Sequence, residues 1–243
     1  MPLLDHFRGS VSLGWPWEAV HNAWANALVN RLNHGWLPPN YRALPTTKLG
    51  GEIEIDIPTV RNGSAPLSNG PVAGTANWPL PRPAAIGLID FTDLDVFEVR
   101  VLAGRAGLQL VAAIELVSPA NKVRPSHRQA FVSKCAGYLK KGVGVVIVDV
   151  VTERAANLHA ELMALFPNVT APSAASGLLY ATAYRAVGTG NPARLEVWAN
   201  ELAAGQTLPT VPLWIAPDGY VAVDLEVAYT DARHNLLIPD DIT

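Results

Sequence analysis

Cysteine is nearly absent from this sequence of 243 residues, which contains only Cys135. A single cysteine allows no intramolecular disulfide and no cysteine-based zinc cluster, and we expect it to be a small buried apolar residue. Charged residues are also scarce, at 16%, and the net charge is −3. Proteins that coat long stretches of nucleic acid are usually basic, so the overall charge argues against that class and leaves only local basic patches.

Targeting segments and long apolar runs are missing as well. The first ten residues, MPLLDHFRGS, lack the basic and apolar regions of a signal peptide. No apolar run approaches the roughly 18 residues of a membrane span. Glycine-rich nucleotide-binding motifs, a Gly-x-Ser-x-Gly elbow and a His-x-x-x-His pair do not occur. We therefore expect a cytoplasmic protein with no membrane partner.

The chain does contain enough apolar material for a core, with 49% hydrophobic residues. Its hydrophobic periods predict helices at 16–33, 125–142 and 155–165, and strands at 51–60, 143–151, 177–187 and 193–199. A hairpin is predicted within 96–119 and a strand passing into a helix at 221–237. This order predicts one α/β (α+β) domain over 1–243, with a mixed central sheet flanked by helices. Residues 61–92 are predicted to be a long Pro/Gly-rich loop, and 194–243 a C-terminal extension of the same domain.

Two of the predicted helices have further sequence features: an apolar face in the first and a candidate N-cap in the second. The helix at 16–33 presents one apolar side, formed by Trp17, Val20, Trp24, Ala27, Leu28 and Leu32. The helix at 125–142 has Ser126 as a candidate N-cap and Gln129 three residues later, which matches a capping box. The run at 143–151 is apolar throughout, as expected for a strand buried on both faces.

A carboxylate interrupts the apolar stretch VAAIELVSPANK, residues 111–122. Glu115 lies near the end of a predicted strand, and an unpaired charge in an apolar layer is costly. Lys134 and Tyr138 share a face of the next helix, so that Lys134 can approach Glu115 if this helix packs on the sheet. The pair is then either part of a functional site or a purely structural ion pair.

Asp56 offers a second carboxylate on the polar side of the strand at 51–60. Two converging carboxylates suit Mg²⁺ or Mn²⁺, which prefer oxygen ligands. A nearby lysine would orient the attacking water or stabilise charge on a phosphate. The alternative is that Glu52, Glu54 and Asp56 form a solvated strand face.

The motifs AIELVSPANK and KCAGYLKKGVGVVIVDV resemble the Uma-type endonucleases and a related bacterial family of unknown function, both placed in the PD-(D/E)XK restriction-endonuclease-like superfamily. The segments WPWEAVHNAW, LPPNY and VDLEVAYTDA resemble the unknown-function family as well, so the likeness extends over most of the chain. The ordered residues that carry it are Glu115, Ser118, Pro119, Lys134, Tyr138, Gly142, Val148 and Asp149. The resemblance implies a restriction-endonuclease-like core and metal-dependent hydrolysis of phosphodiester bonds. A catalytically inactive binding or structural protein with the same fold is the alternative.

By this resemblance, Asp56 and Glu115 are the metal ligands, and Lys134 is the catalytic lysine carried by the helix. The sequence departs from the superfamily pattern at Ile55, which replaces the motif's proline, and at Val117, where a lysine is usual. Lys122 is the rival candidate for the lysine. Two other acids, at Asp95 and Glu98, rank below Asp56.

A basic segment accompanies this set of residues. No acidic residue occurs between Glu115 and Asp149, whereas the interval contains six lysines and arginines. Arg124 and Arg128 are candidate phosphate-binding residues, and DNA is the expected partner. A solvated helix face is the alternative explanation. A homodimer is left open, and His21 is expected to be a hydrogen-bonded structural residue rather than a ligand.

Overall fold

The computed structural model describes residues 1–44, 47–48, 54–55, 57–62, 78–89, 108–170, 177–188 and 193–240. Its α-helices are α1 (Gly9–Gly14), α2 (Trp17–Arg31), α3 (Pro119–Val123), α4 (Pro125–Lys140), α5 (Leu158–Met163) and α6 (Leu225–Asn235). Its strands are β1 (Tyr41–Ala43), β2 (Thr47–Lys48), β3 (Glu54–Ile55), β4 (Ile57–Asn62), β5 (Ala85–Ile89), β6 (Leu108–Leu116), β7 (Gly144–Asp149), β8 (Tyr180–Val187), β9 (Ala193–Glu201), β10 (Thr210–Ala216) and β11 (Gly219–Asp224).

The main sheet of the described chain has seven strands in the order β1-β4-β6-β7-β8-β9-β5. Strands β6 and β7 run parallel, and the other neighbours run antiparallel. The parallel pair requires a crossover connection, which α3 and α4 provide. The predicted α/β (α+β) class with a mixed sheet flanked by helices is confirmed. Strand β9 lies within this sheet, so the predicted extension at 194–243 begins inside the central sheet.

Each face of the sheet is covered by a different layer. Helices α2 and α6 and the β10–β11 hairpin cover one face, and α4 and α5 cover the other. Strand β7 is wholly buried between them, as predicted. Val146 and Val148 point into the first layer, and Val145 and Ile147 point into the second. This alternation follows from the two-residue period of a strand.

The first long helix forms where its apolar period predicts it. Helix α2 occupies Trp17–Arg31, and a π-helical turn over Leu32–Trp36 follows it, with a kink where the backbone is non-helical at His34 and Gly35. All six apolar residues of the predicted face are buried. The helix packs on α6 and on the sheet, so burial of this face is the main source of its stability.

Helix α4 begins at the predicted residue, but its predicted N-cap is wrong. Its N-cap is Arg124 and its first residue is Pro125, so Ser126 is already inside the helix. Proline suits this first position because its fixed φ is helical and its missing N–H needs no partner there. The capping-box arrangement occurs earlier, at α3, where the amide of Ser118 donates to Asn121 Oδ1 at 2.8 Å.

The predicted loop at 61–92 is wrong at both ends. Strand β4 continues to Asn62, and β5 adds an edge strand beside β9. The sequence of β5, AIGLI, is a short apolar run of strand length, which the surrounding Pro/Gly-rich sequence obscured. Gly87 permits a close contact there, because a Cβ at this position would come within 2.9 Å of Val169 Cγ2. Residues 51–53 and 56 of the predicted strand, and the first strand of the predicted hairpin at 96–103, lie outside the described residues.

Candidate functional site

Glu115 and Lys134 form an ion pair at the carboxyl end of β6. Lys134 Nζ lies 2.7 Å from Glu115 Oε2. The Glu115 side chain is 1% exposed and the Lys134 side chain is 13% exposed. The pairing predicted from the sequence is confirmed, because the carboxylate points to the same face of the sheet as α4. The lysine compensates the buried charge and keeps a narrow contact with solvent.

Packing around α4 fixes the position of the Lys134 ammonium group. The helix is anchored in the apolar layer by residues such as Phe131 and Cys135, both buried. Lys134 Nζ also lies 5.1 Å from the centre of the Phe131 ring. An ammonium group over an aromatic face is attracted to the ring, which adds to the carboxylate in holding it. Cys135 is confirmed as a small buried residue.

The second predicted carboxylate, Asp56, lies outside the described residues, as do Asp95 and Glu98. The next residue, Ile57, is described, and it pairs with Ile114 between strands β4 and β6. Ile114 directly precedes Glu115 in the chain. The start of β4 and the carboxyl end of β6 therefore meet at one place on the sheet.

Lys122 and Asp149 form a second ion pair at the end of the neighbouring parallel strand. Lys122 Nζ lies 2.9 Å from Asp149 Oδ2, and both side chains are fully buried. The amide of Val151 donates to Asp149 Oδ1 at 3.0 Å. The rival lysine of the sequence prediction is thus paired with Asp149 rather than with Glu115.

The Asp149 carboxyl group is electrostatically unusual. Burial raises its pKa to about 6, and this effect exceeds the opposing attraction of Lys122 and the hydrogen bonds from Val151 and Tyr180. The Tyr180 hydroxyl accepts the His159 amide at 3.0 Å, and His159 Nδ1 lies 2.6 Å from the Tyr184 hydroxyl. Asp149 therefore belongs to a buried polar network beside the Glu115 site. The Val-Asp ending of β7 was its only sequence signal, and no role was predicted for it.

The two candidate phosphate-binding arginines differ in their surroundings. Arg124 is exposed at the junction of α3 and α4. Arg128 Nε lies 2.6 Å from Glu161 Oε1, on α5. The acid-free interval in the sequence therefore does not leave an acid-free surface, because α5 brings Glu161 to α4. A phosphate at Arg128 would compete with this carboxylate.

His21 has the structural role predicted for it. Its Nε2 donates to the carbonyl oxygen of Leu116 at 3.1 Å, and its ring meets the Trp17 ring edge-on. This bond ties α2 to the end of β6 from the face opposite to Lys134. The end of the strand that carries Glu115 is therefore held from both sides.

Among the described residues, no group of three or more His, Cys, Asp or Glu side chains is arranged to hold a metal ion. The helices in that part of the chain are too short or too polar to cross a membrane. Comparison of the chain with protein-family models, curated proteins and solved structures gave no match. The geometry of the two lysine–carboxylate pairs is thus the basis for any functional assignment.

Proposed function

We propose that the chain is a metal-dependent phosphodiester hydrolase of the PD-(D/E)XK type, acting on DNA. One observation carries the proposal: the helix-borne Lys134 contacts the strand-borne Glu115 at 2.7 Å. The resemblance of the sequence to Uma-type endonucleases gives these two residues their roles. The carboxyl ends of strands in mixed and parallel sheets are also frequent locations of active sites.

The donor set fits a hard divalent cation. Glu115 supplies carboxylate oxygens, and Asp56 precedes Ile57, which pairs with the neighbour of Glu115. The role of Asp56 as the second ligand rests on the sequence resemblance, because Asp56 itself lies outside the described residues. Mg²⁺ and Mn²⁺ both accept such ligands. When bound, the cation would polarise the phosphoryl group as a Lewis acid.

Lys134 is the residue of this chain suited to act on the substrate. Its ammonium group is fixed by Glu115 and Phe131 yet keeps 13% of its side chain exposed. An ammonium group in this position would orient the attacking water or stabilise negative charge that develops on the phosphate. Exposed Arg124, at the start of the same helix, would attract the DNA backbone.

A non-catalytic nuclease-like protein is the second candidate. The observation that favours it is the near-complete burial of Glu115, whose charge is already compensated by Lys134. A structural ion pair has the same appearance. In that case the chain would bind a nucleic acid or a protein without cleaving it.

Cleavage assays distinguish the two candidates. Supercoiled plasmid, linear duplex and single-stranded DNA are incubated with the protein in Mg²⁺ or Mn²⁺. We expect cleavage by the wild type and loss of at least 100-fold in rate for Glu115→Gln, which keeps the shape of the side chain but removes its charge. Lys134→Met should also abolish cleavage. Lys140→Met, on the exposed end of α4, is the matched control and should cleave at the wild-type rate.

Circular dichroism and thermal unfolding must show that each variant is folded. The proposal fails if the wild type leaves all three DNA substrates intact, or if folded Glu115→Gln cleaves as fast as the wild type. DNA binding without cleavage, measured by fluorescence anisotropy, would support the second candidate instead.

A further inference from the structure

The N-terminal residues 2–8, which we call the N-terminal strap, lie against α6 and the segment that precedes β10. The Leu3 amide donates to the Gln206 carbonyl at 2.8 Å, and the Gly205 amide donates back to the Leu3 carbonyl at 2.8 Å. Leu3 is buried in the apolar layer that also contains α2 and α6. The strap is therefore a packed element with defined backbone partners.

His6 fastens the middle of the strap to α6. Its side chain is 2% exposed, and Nε2 lies 2.7 Å from the Tyr229 hydroxyl. The same hydroxyl accepts the Leu4 amide at 3.0 Å. We assign the Tyr229 proton to neutral His6 Nε2, which places the histidine proton on Nδ1. Within the described part of the chain, Nδ1 has no hydrogen-bond partner.

A second proton on His6 would face an unfavourable environment. From α6, the neighbouring groups are the Tyr229 hydroxyl and the guanidinium of Arg233, which is 1% exposed. Arg233 donates to the carbonyls of Pro2 at 3.4 Å and Pro239 at 2.6 Å. Among the described residues, no carboxylate forms an ion pair with Arg233, and its positive charge disfavours a proton on His6.

The remaining neighbours of His6 do not make a second proton on its ring favourable. From α2, the nearest ring is the uncharged indole of Trp17, with ring centres 5.9 Å apart. Within the strap, Asp5 attracts a proton on His6, but its effect is smaller than that of burial and of Arg233. Glu226, on α6, accepts the Leu208 amide at 2.7 Å and forms an ion pair with the N-terminal ammonium group of Met1.

The strap also contacts the segment that follows β7. Thr152 Oγ1 donates to Asp5 Oδ1 at 2.7 Å. Thr152 adjoins Val151, whose amide donates to Asp149. Asp5 therefore joins the strap to the segment directly after β7, next to the Lys122–Asp149 pair.

We propose that His6 is a pH-dependent latch, and that its protonation releases the N-terminal strap from α6. Neutral His6 accepts the hydrogen bond of Tyr229. Protonated His6 has two donors and no acceptor, so the bond to Tyr229 must reverse while a second charge is placed beside Arg233. This latch does not depend on the proposed hydrolase function.

The size of the effect follows from linkage between protonation and opening. Burial, with Arg233 second, lowers the pKa of His6 from 6.5 to about 4 while the strap is closed. In the released strap the ordinary value returns, so acid favours the open state. Between pH 7.5 and pH 5 the opening equilibrium constant should rise about 30-fold.

Amide hydrogen exchange followed by NMR tests the latch. The Leu3 and Leu4 amides report on the strap, and the Val146 amide in the buried strand β7 reports on global opening. After correction for the intrinsic pH dependence of exchange, the protection of Leu3 and Leu4 should fall about 30-fold between pH 7.5 and pH 5 and stay below that of Val146 at each pH, because the strap opens without global unfolding. In His6→Gln, which retains an acceptor for Tyr229 but does not titrate, the change should be less than threefold. His34→Gln, at an exposed histidine, should behave as the wild type.

Three results would overturn the proposal: a strap whose protection does not change with pH, equal changes in wild type and His6→Gln, or Leu3 and Leu4 protection as high as that of Val146, which would show that the strap opens only when the whole protein unfolds. If His6→Gln does not fold, an NMR titration of the wild type alone tests the proposal. Its His6 ring should then titrate near pH 4 by NMR, and a midpoint at 6.5 or above would contradict the latch.

Discussion

Lys134 Nζ and Glu115 Oε2 lie 2.7 Å apart, although the residues are 19 positions apart in the chain. The contact requires β6, α3 and α4 to fold as one unit, because the carboxylate belongs to the strand and the ammonium group to the second helix. A buried charge that loses its partner is strongly destabilising, whereas an apolar pair of similar volume is often tolerated.

Lys134→Met should therefore lower the free energy of unfolding by about 3 kcal/mol, because Glu115 would remain buried without its partner. The double variant Glu115→Met/Lys134→Met should recover most of this loss. Urea unfolding measures both, with Lys140→Met as the exposed control. An equally large loss in the single and double variants would contradict a compensating ion pair.

The Lys122–Asp149 pair is more deeply buried, with neither side chain exposed. Lys122→Met should lower the free energy of unfolding by about 4 kcal/mol, and Lys122→Met/Asp149→Leu should return to within about 1 kcal/mol of the wild type. Chemical denaturation of the wild type, Lys122→Met, Asp149→Leu and the double variant gives the coupling energy between the two side chains. Additive effects of the two substitutions would show that the two groups do not interact.

The raised pKa of Asp149 predicts that the free energy of unfolding increases as pH falls. Its folded pKa, about 6, is higher than the ordinary 3.8, so the folded protein binds a proton more tightly than the unfolded chain. Stability from this group therefore increases as pH falls from 7 towards 4, by about 1 kcal/mol between pH 7 and pH 5. The difference in unfolding free energy between wild type and Asp149→Asn should grow by that amount. A difference that is constant with pH would contradict the raised pKa.

The lowered pKa of His159 predicts the opposite change, a decrease in the free energy of unfolding as pH falls. Burial lowers its pKa from 6.5 to about 4, so its contribution to stability is present above pH 6.5 and is lost as pH falls towards 4. Between pH 7 and pH 5 the loss should be about 2 kcal/mol. His159→Gln should remove this part of the acid sensitivity in urea unfolding curves. Equal acid sensitivity in the variant and the wild type would argue against a buried neutral histidine.

A substitution at Gly144 tests the packing of the β10–β11 hairpin on the main sheet. A Cβ at this first residue of β7 would overlap the Trp214 carbonyl in β10. Gly144→Ala should therefore cost about 3 kcal/mol, since two backbones would have to separate. Gly14→Ala, at a glycine with open space around it, is the control and should be close to neutral in thermal unfolding.

The sequence was informative where a periodic pattern and a burial constraint agreed. Helix α2 and strand β7 were predicted because their apolar residues recur at the helical period or continuously. The Glu115–Lys134 contact was predicted because a buried charge requires a partner of opposite charge. The next helix carries few basic residues that could reach Glu115. These predictions rest on local pattern and electrostatic cost, which the sequence displays directly.

The sequence was less informative where distant segments meet. Nothing near Arg128 in the chain indicates that Glu161 will neutralise it, and nothing near Lys122 indicates Asp149. Strand β5 pairs with the edge of β9, and its short apolar sequence, AIGLI, was overlooked within a segment otherwise rich in proline and glycine. The N-cap of α4 was mispredicted because Pro125 occupies the first helical position, which makes Arg124 the N-cap instead of Ser126.

The central claim is that Glu115 is a cation ligand and not only the partner of Lys134. Calorimetric titration of the protein with Mn²⁺, compared with the folded Glu115→Gln variant, tests this claim most directly. We predict saturable binding to the wild type that is weakened at least tenfold in the variant. Binding heats that equal dilution in the wild type, or binding that is unchanged by Glu115→Gln, would contradict the claim and leave the pair a structural one.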